Sequence, residues 1–158
     1  ASGWQPGQPT AFLPGADSPA FSPDGRWLAY SAKTSSASDT GSEVFVRPFP
    51  GPGGPWQISA GGGTNPVWSL KRRELFYGTP DHRIMVTSYA TNGGSFRAEK
   101  PRLLSETRFA QRPVGPSFDV HPDGDRFALA RAAVDAGSRR NHVNLIFNFL
   151  DELRRIAP

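Results

Sequence analysis

A short motif recurs three times along this chain and constrains its fold more than any other feature. The copies read SPAFSPDGRWLAYS at 18–31, NPVWSLKRRELFYG at 65–78 and SFDVHPDGDRFALA at 117–130. Asp24, Lys71 and Asp123 hold equivalent positions, so the copies are spaced 47 and 52 residues apart. Self-similarity at such a period is typical of supersecondary units that stack on one another in an array.

Each copy predicts two antiparallel strands joined by a tight turn. One strand face carries the same two apolar positions in all copies: Leu28, Leu75 and Phe127, then Tyr30, Tyr77 and Leu129. Gly25 and Gly124 can adopt the positive φ that closes such a turn. The middle copy has Ser-Leu-Lys-Arg at 69–72. A looser or differently shaped turn is expected there, because a left-handed non-glycine residue costs about 1–2 kcal/mol.

Further strand candidates complete each unit. Third strands are predicted at 42–49, 83–90 and 142–148, and fourth strands at 56–59 and 102–105. The last unit has no fourth strand, but a spare candidate, TAFLPG, stands at the start of the chain at 10–15. The prediction is an all-β, single-domain β-propeller fold over 1–158, with three four-stranded antiparallel blades at about 18–59, 65–105 and 117–148. The displaced strand, at 10–13, is expected to complete a last blade, as it does in closed propellers.

The C-terminal segment predicts a short helix over 149–157. Asn148 can cap it, Asp151 and Glu152 lie in its first turn, and Arg154 and Arg155 suit its end. Its apolar side either packs on the sheets, which is the simpler interpretation, or binds a partner.

Composition excludes several classes of protein. The chain has no cysteine, so it forms neither disulfides nor zinc–thiolate sites. No apolar run approaches the ~20 residues of a membrane-spanning helix. The 18 Lys and Arg exceed the 14 Asp and Glu but are scattered, which argues against a nucleic-acid partner. Catalytic and nucleotide-binding motifs are absent, and Gly61-Gly62-Gly63 reads as a linker between strands.

The hairpin motif resembles that of TolB-like β-propellers, P-x-[FW]-S-P-D-G-[RK]-x-[LI]-[AV]-[FY]. The matching residues are Pro19, Phe21, Ser22, Pro23, Asp24, Gly25, Arg26, Leu28, Ala29 and Tyr30. In the third copy His121 replaces the serine and Phe118 the leading proline. The ending NLIFNFLDELRRIAP is similar to the terminus of propeller portions attached to some bacterial serine/threonine kinases. The resemblance implies a bacterial, extracytoplasmic or periplasmic setting.

Three units are too few for a closed ring, since propellers usually have four to eight blades. An open array would also leave apolar faces in water, and such faces usually mark interfaces. One solution is a two-fold homodimer with six blades, in which 10–13 of each chain pairs with 142–148 of its partner. The other is that these units are the end of a longer chain.

A ring would place its candidate site along the axis. The first strands are predicted to line a channel, and its mouth is expected to carry Asp17, Ser18, Asn65, Ser117 and His82. Further along, Asp119 and His121 with their symmetry mates could hold Ca²⁺ or Zn²⁺. Alternatively, Asp119 bonds a neighbouring turn and His121 caps its own hairpin.

Two functions follow from these expectations. The first is a non-catalytic module that binds a protein, peptide or small ligand at the channel mouth. The repeat match and the absence of a catalytic signature favour it. The second is a metal-dependent hydrolase of an ester, lactone or phosphotriester, with Asp119 and His121 as catalytic residues and metal ligands.

Overall fold

The computed structural model describes residues 7–8, 10–34, 41–110 and 116–130, together with the backbone of a strand at 144–146. Its strands are β1 (Ala16–Phe21), β2 (Trp27–Lys33), β3 (Ser42–Pro48), β4 (Trp56–Gln57), β5 (Thr64–Trp68), β6 (Glu74–Gly78), β7 (Ile84–Asn92), β8 (Ser95–Ala98), β9 (Arg102–Ser105), β10 (Phe118–Val120), β11 (Phe127–Leu129) and β12 (Asn144–Ile146). The all-β prediction is confirmed, since these residues contain no helix. None of them therefore forms a helix that could cross a membrane.

The strands form three antiparallel sheets that follow one another along the chain. Sheet 1 has the order β1-β2-β3-β4, sheet 2 has β5-β6-β7 with β8 and β9 both paired to β7, and sheet 3 has β10-β11-β12. The first, second and third strands of each unit thus lie in the predicted order.

Strand β8 is an addition that the sequence analysis did not predict. The second half of β7 pairs with β8 across a two-residue turn, Gly93-Gly94, in which Gly93 has a φ of 58°. The signal was present, because Gly93-Gly94 is one of the dipeptides favoured in a two-residue hairpin loop. The first half of β7 pairs with the expected fourth strand, β9.

The two ends of the chain bear on the proposed ring. Residues 10–13, predicted as a strand that pairs with a partner chain, have no strand conformation in this single chain, and 12–15 form bends and a turn. Because that pairing needs a second chain, it stays a prediction. The predicted helix at 149–157 lies outside the described residues.

Sheet 2 packs between the other two sheets and is buried on both faces. Each sheet has a front face, which we define by three apolar residues: Phe21, Leu28 and Tyr30 in sheet 1, Trp68, Leu75 and Tyr77 in sheet 2, and Val120, Phe127 and Leu129 in sheet 3. The opposite side is the back face. The front of sheet 2 packs on Trp27, Val44 and Val46 at the back of sheet 1. The front of sheet 3 packs on Phe76 and Val86 at the back of sheet 2.

Aromatic side chains fill the space between sheets 1 and 2. The β8 residue Phe96 is 4% exposed and its ring centroid lies 5.2 Å from those of both Trp27 and Tyr89. The Trp68 indole N–H donates to the Ala20 carbonyl at 2.9 Å, which joins β5 to β1. Full burial of a phenylalanine side chain such as Phe96 contributes about 1.5–3 kcal/mol to stability. The β7–β8 hairpin therefore strengthens the contact between the two sheets.

The turns confirm the expectation for the middle copy. Gly25 and Gly124 have φ of 67° and 76°, and each donates its N–H at 2.8 Å to the carbonyl of the residue that opens its turn. In the middle turn the Arg72 N–H instead donates to the Ser69 hydroxyl at 3.1 Å. The Arg72 guanidinium also reaches the Gly124 carbonyl and the Asp125 carboxylate in the third turn. This turn is thus differently shaped and tied to its neighbour.

Candidate binding groove

The first strands of the three sheets, β1, β5 and β10, converge on one groove with a volume of about 720 Å³. Ser18, Asn65 and Asp119 are its polar side chains. The rest of the lining is apolar and rich in proline: Pro19, Pro66, Pro116 and Pro122. A mostly apolar cleft with a few placed polar groups is the usual form of a ligand site.

Ser18 and Asn65 occupy the same position in two repeats and share an unusual backbone. Both have a φ of 51°, and each precedes a proline at a register shift between the first and second strands of its sheet. Such a conformation is uncommon for residues other than glycine. A bulge of this kind re-aims side chains. Here it brings the two residues together, because the Ser18 hydroxyl donates to the Asn65 amide oxygen at 2.9 Å.

The Asn65 side chain keeps a donor for a ligand. Its amide oxygen accepts from Ser18, and within the described part of the chain its amide nitrogen has no hydrogen-bond acceptor. Asn65 is half-buried in the groove wall. The groove therefore offers an oriented N–H donor, and the hydrogen bond from Ser18 holds that donor in place.

Asp119 carries the only charge among the described residues that line the groove. It is exposed on β10, and one carboxylate oxygen accepts the N–H of the next residue, Val120, at 2.8 Å. The alternative to a metal ligand was a bond from Asp119 to a neighbouring turn, but the bond observed is to its own strand. The other carboxylate oxygen remains able to accept from a ligand or a partner.

His121 opens the third turn and does not line the groove. Its Nδ1 lies 3.2 Å from the Asp123 backbone nitrogen and 3.0 Å from the Asp123 carboxylate, and an Arg126 nitrogen lies 3.0 Å from both ring nitrogens. The backbone N–H of Asp125 is the main cause of a lowered pKa of the Asp123 carboxyl, with Arg126 and His121 adding to it. These contacts agree with the interpretation in which His121 caps its own hairpin turn.

The predicted cation site is not assembled within one chain. The described residues contain no group of three or more His, Asp or Glu side chains that could hold a metal ion. Asp119 and His121 each bond to their own local backbone. A site on the dimer axis would need symmetry mates, so it stays a prediction.

Three other predicted mouth residues are not among the residues that line the groove. Asp17 is an exposed residue of β1 that pairs with Ser31. Ser117 is buried, and its carbonyl accepts the Ala130 N–H at 3.0 Å. His82 has a φ of 67° in the β6–β7 loop, where its ring lies edge-on to Phe109 at 5.7 Å. The unpredicted lining residues are mostly the apolar residues that follow Ser18 and Asn65 on the same strands.

Comparison with known proteins adds no further constraint on this groove. A scan against protein-family models finds no match to this chain, and a search of curated proteins finds no similar sequence.

Proposed function

We propose that this chain is a non-catalytic binding module of the TolB-like propeller type. It dimerises into a six-bladed ring and binds a protein, peptide or small ligand in the groove along its first strands. The observation that carries the proposal is the convergence of β1, β5 and β10 on one groove, with the Asn65 amide and the Asp119 carboxylate in its wall.

The order of the sheets supports the ring. The front of sheet 2 packs on the back of sheet 1, and the front of sheet 3 packs on the back of sheet 2. The first strand β5 contacts both β1 and β10, so the first strands are neighbours. Repetition of one front-to-back contact with adjacent first strands is the arrangement of propeller blades around an axis.

The chemistry of the groove supports binding rather than covalent catalysis. The only hydroxyl among its described lining residues, that of Ser18, donates to an amide oxygen. An activated serine nucleophile needs a general base at that position, and an amide oxygen is not one. An amide donor and one carboxylate over apolar surface suit reversible recognition.

Asn65→Gly tests the groove, because glycine keeps the positive φ and removes the amide. The probes are a fixed panel of tripeptides with acidic, basic, aromatic or proline residues, screened by thermal shift and measured by calorimetry. We expect a bound probe to lose about tenfold in affinity, or about 1.4 kcal/mol, in Asn65→Gly. Asn92→Gly, which changes an exposed amide at the β7–β8 turn, is the matched control. Equal binding by both variants would contradict the proposal.

Elemental analysis of the purified dimer separates this proposal from the metal-dependent hydrolase. We expect no stoichiometric Ca²⁺ or Zn²⁺ and no turnover of ester, lactone or phosphotriester substrates. Stoichiometric metal, together with hydrolysis that is lost in His121→Ala and in Asp119→Ala, would replace the binding module with the enzyme.

A further inference from the structure

Among the residues that the structure describes, three of the four exposed large hydrophobic side chains lie together beside the front face of sheet 1. Phe21 is 54% exposed, Phe12 is 39% exposed and Phe49 is 36% exposed. The Phe49 ring centroid lies 5.0 Å from that of Phe12 and 4.8 Å from that of Phe21, both in edge-on contact. We call Phe12, Phe21 and Phe49 the aromatic patch. It is too concentrated to be the scattered apolar exposure of an ordinary surface.

The repeat supplies an internal reference for the burial of Phe21. Trp68 and Val120 hold the equivalent position in sheets 2 and 3, but they are only 5% and 9% exposed. Each belongs to the core between its own sheet and the back face of the preceding sheet. Phe21 differs from them in having no preceding sheet within the described chain.

The open surface is confined to one end of sheet 1. Leu28 and Tyr30, on the same front face, are already buried. Phe21 ends β1, and the Phe49 N–H donates to the Arg26 carbonyl of the β1–β2 turn at 2.9 Å. A partner therefore has to cover the end of the sheet next to this turn.

We infer that the aromatic patch is the docking surface for the back face of sheet 3 of a second copy of this chain. The inference rests on the dimer of the proposed function and names its contact. The back of sheet 1 covers the front of sheet 2, and the back of sheet 2 covers the front of sheet 3, but within the described chain the back of sheet 3 covers no other sheet. Packing the back of sheet 3 of one copy on the front of sheet 1 of the other would repeat this front-to-back contact. Two-fold symmetry would form it twice in the dimer.

One pair of opposite charges, Arg47 and Asp119, is available across the two faces. Arg47 lies next to the patch, with its guanidinium 4.8 Å from the Phe12 ring, and its buried Nε has no hydrogen-bond partner in the described structure. Asp119 shares the back face of sheet 3 with Ala128 and bears an exposed carboxylate. Opposite charges on the two surfaces favour this pairing and orient the approach of the copies.

The test is the dimer dissociation constant of the full chain, measured by sedimentation velocity over a dilution series. Phe21→Ser removes the centre of the patch. We expect the dimer dissociation constant to rise at least ~10-fold, since a few anchor residues dominate the affinity of an interface. Leu70→Ser is the matched control, because Leu70 is 58% exposed and lies in the middle turn outside the patch. Its dissociation constant should equal that of the wild type.

Phe49→Ser is a second probe of the same patch, and circular dichroism of each variant verifies the fold. A dimer that neither phenylalanine substitution weakens would overturn the docking surface and leave the proposed dimer standing on strand exchange alone. A wild-type chain that stays monomeric at every concentration would overturn both the docking surface and the ring. The Asn65→Gly binding assay probes the groove through a residue outside the aromatic patch, although Phe21 and Asp119 also line that groove.

Discussion

Sheet 1 and sheet 2 are built from copies of one motif but are stabilised in different ways. Sheet 1 carries the best match to the turn motif, with Gly25 at a φ of 67° and the Ser22 hydroxyl bonded to the Asp24 carboxylate at 2.6 Å. Sheet 2 lacks both the proline and the glycine of that turn, yet a neighbouring sheet covers each of its faces. We therefore expect the stability of sheet 1 to depend more on its turn residues and that of sheet 2 more on its packing against the neighbouring sheets.

The largest effect is expected in the core behind sheet 2. Phe76 is 1% exposed and its ring lies 5.1 Å from that of Phe127 in sheet 3. Phe76→Ala should lower the free energy of unfolding by about 3–5 kcal/mol, through lost burial and the cavity left behind. Phe21→Ala in sheet 1 should cost less than about 1 kcal/mol in the monomer. Urea denaturation of dilute samples checks both, and equal losses would refute the contrast between the sheets.

A smaller loss is expected from the turn of sheet 1. A Cβ at Gly25 would meet no atom within 4 Å, so Gly25→Ala changes only the backbone preference at a φ of 67°. We expect a loss of about 1–2 kcal/mol. Gly94→Ala is the control, because that Cβ would also be unobstructed but the backbone of Gly94 is not left-handed. If the two variants unfold at the same urea concentration, the glycine does not specify the turn.

The middle turn should depend on its neighbour. Arg72→Ala removes the bonds to the Gly124 carbonyl and the Asp125 carboxylate. A loss of about 0.5–1.5 kcal/mol is expected, the usual net contribution of a hydrogen bond. Lys71→Ala, at an exposed residue of the same turn, should be neutral. A double-mutant cycle with Asp125→Ala measures the coupling between Arg72 and the Asp125 carboxylate, and additivity would show that this ion pair contributes nothing.

The smallest effect is a pH dependence that arises from the aspartates of the first and third motif turns. The Ser22 hydroxyl is the main cause of a lowered pKa of the Asp24 carboxyl, and the Arg26 N–H lowers it further. A lowered folded pKa means that the unfolded chain binds more protons in acid. The contribution of the Asp24 carboxylate to folding stability is therefore complete above the unfolded pKa of about 3.9. It is lost as the pH falls through the lower pKa of the folded state.

The melting temperature of Asp24→Asn should accordingly fall less than that of the wild type on acidification below about pH 4. Asp123→Asn should behave alike, since the pKa of the Asp123 carboxyl is also lowered. The middle turn has Lys71 at this position and offers no such group. Parallel melting curves for the wild type and Asp24→Asn would contradict this origin of the acid sensitivity.

Much of the fold could be predicted from the chain because strand periodicity and turn residues are local signals. The predicted strands at 42–49 and 102–105 correspond to β3 and β9 almost residue for residue. Strand β8 was not predicted because each apolar run was taken as one strand, although Gly93-Gly94 indicated a further hairpin. Of the predicted mouth residues, Ser18 and Asn65 line the groove but Ser117 does not. All three hold the same position in their repeats, but only Ser18 and Asn65 have a positive φ. The motif does not reveal this difference in backbone conformation.

By itself the sequence determined the number of repeats, the order of the first three strands in each repeat and the face on which the apolar residues of the motif lie. These follow from alternation along a strand and from the few residues that a tight turn tolerates. Only the tertiary structure decided that Phe21 is exposed where Trp68 is buried, and that His121 joins its own turn rather than the groove. The physical reason is that burial and hydrogen-bond partners depend on which sheet lies alongside, and that neighbour is distant in the chain.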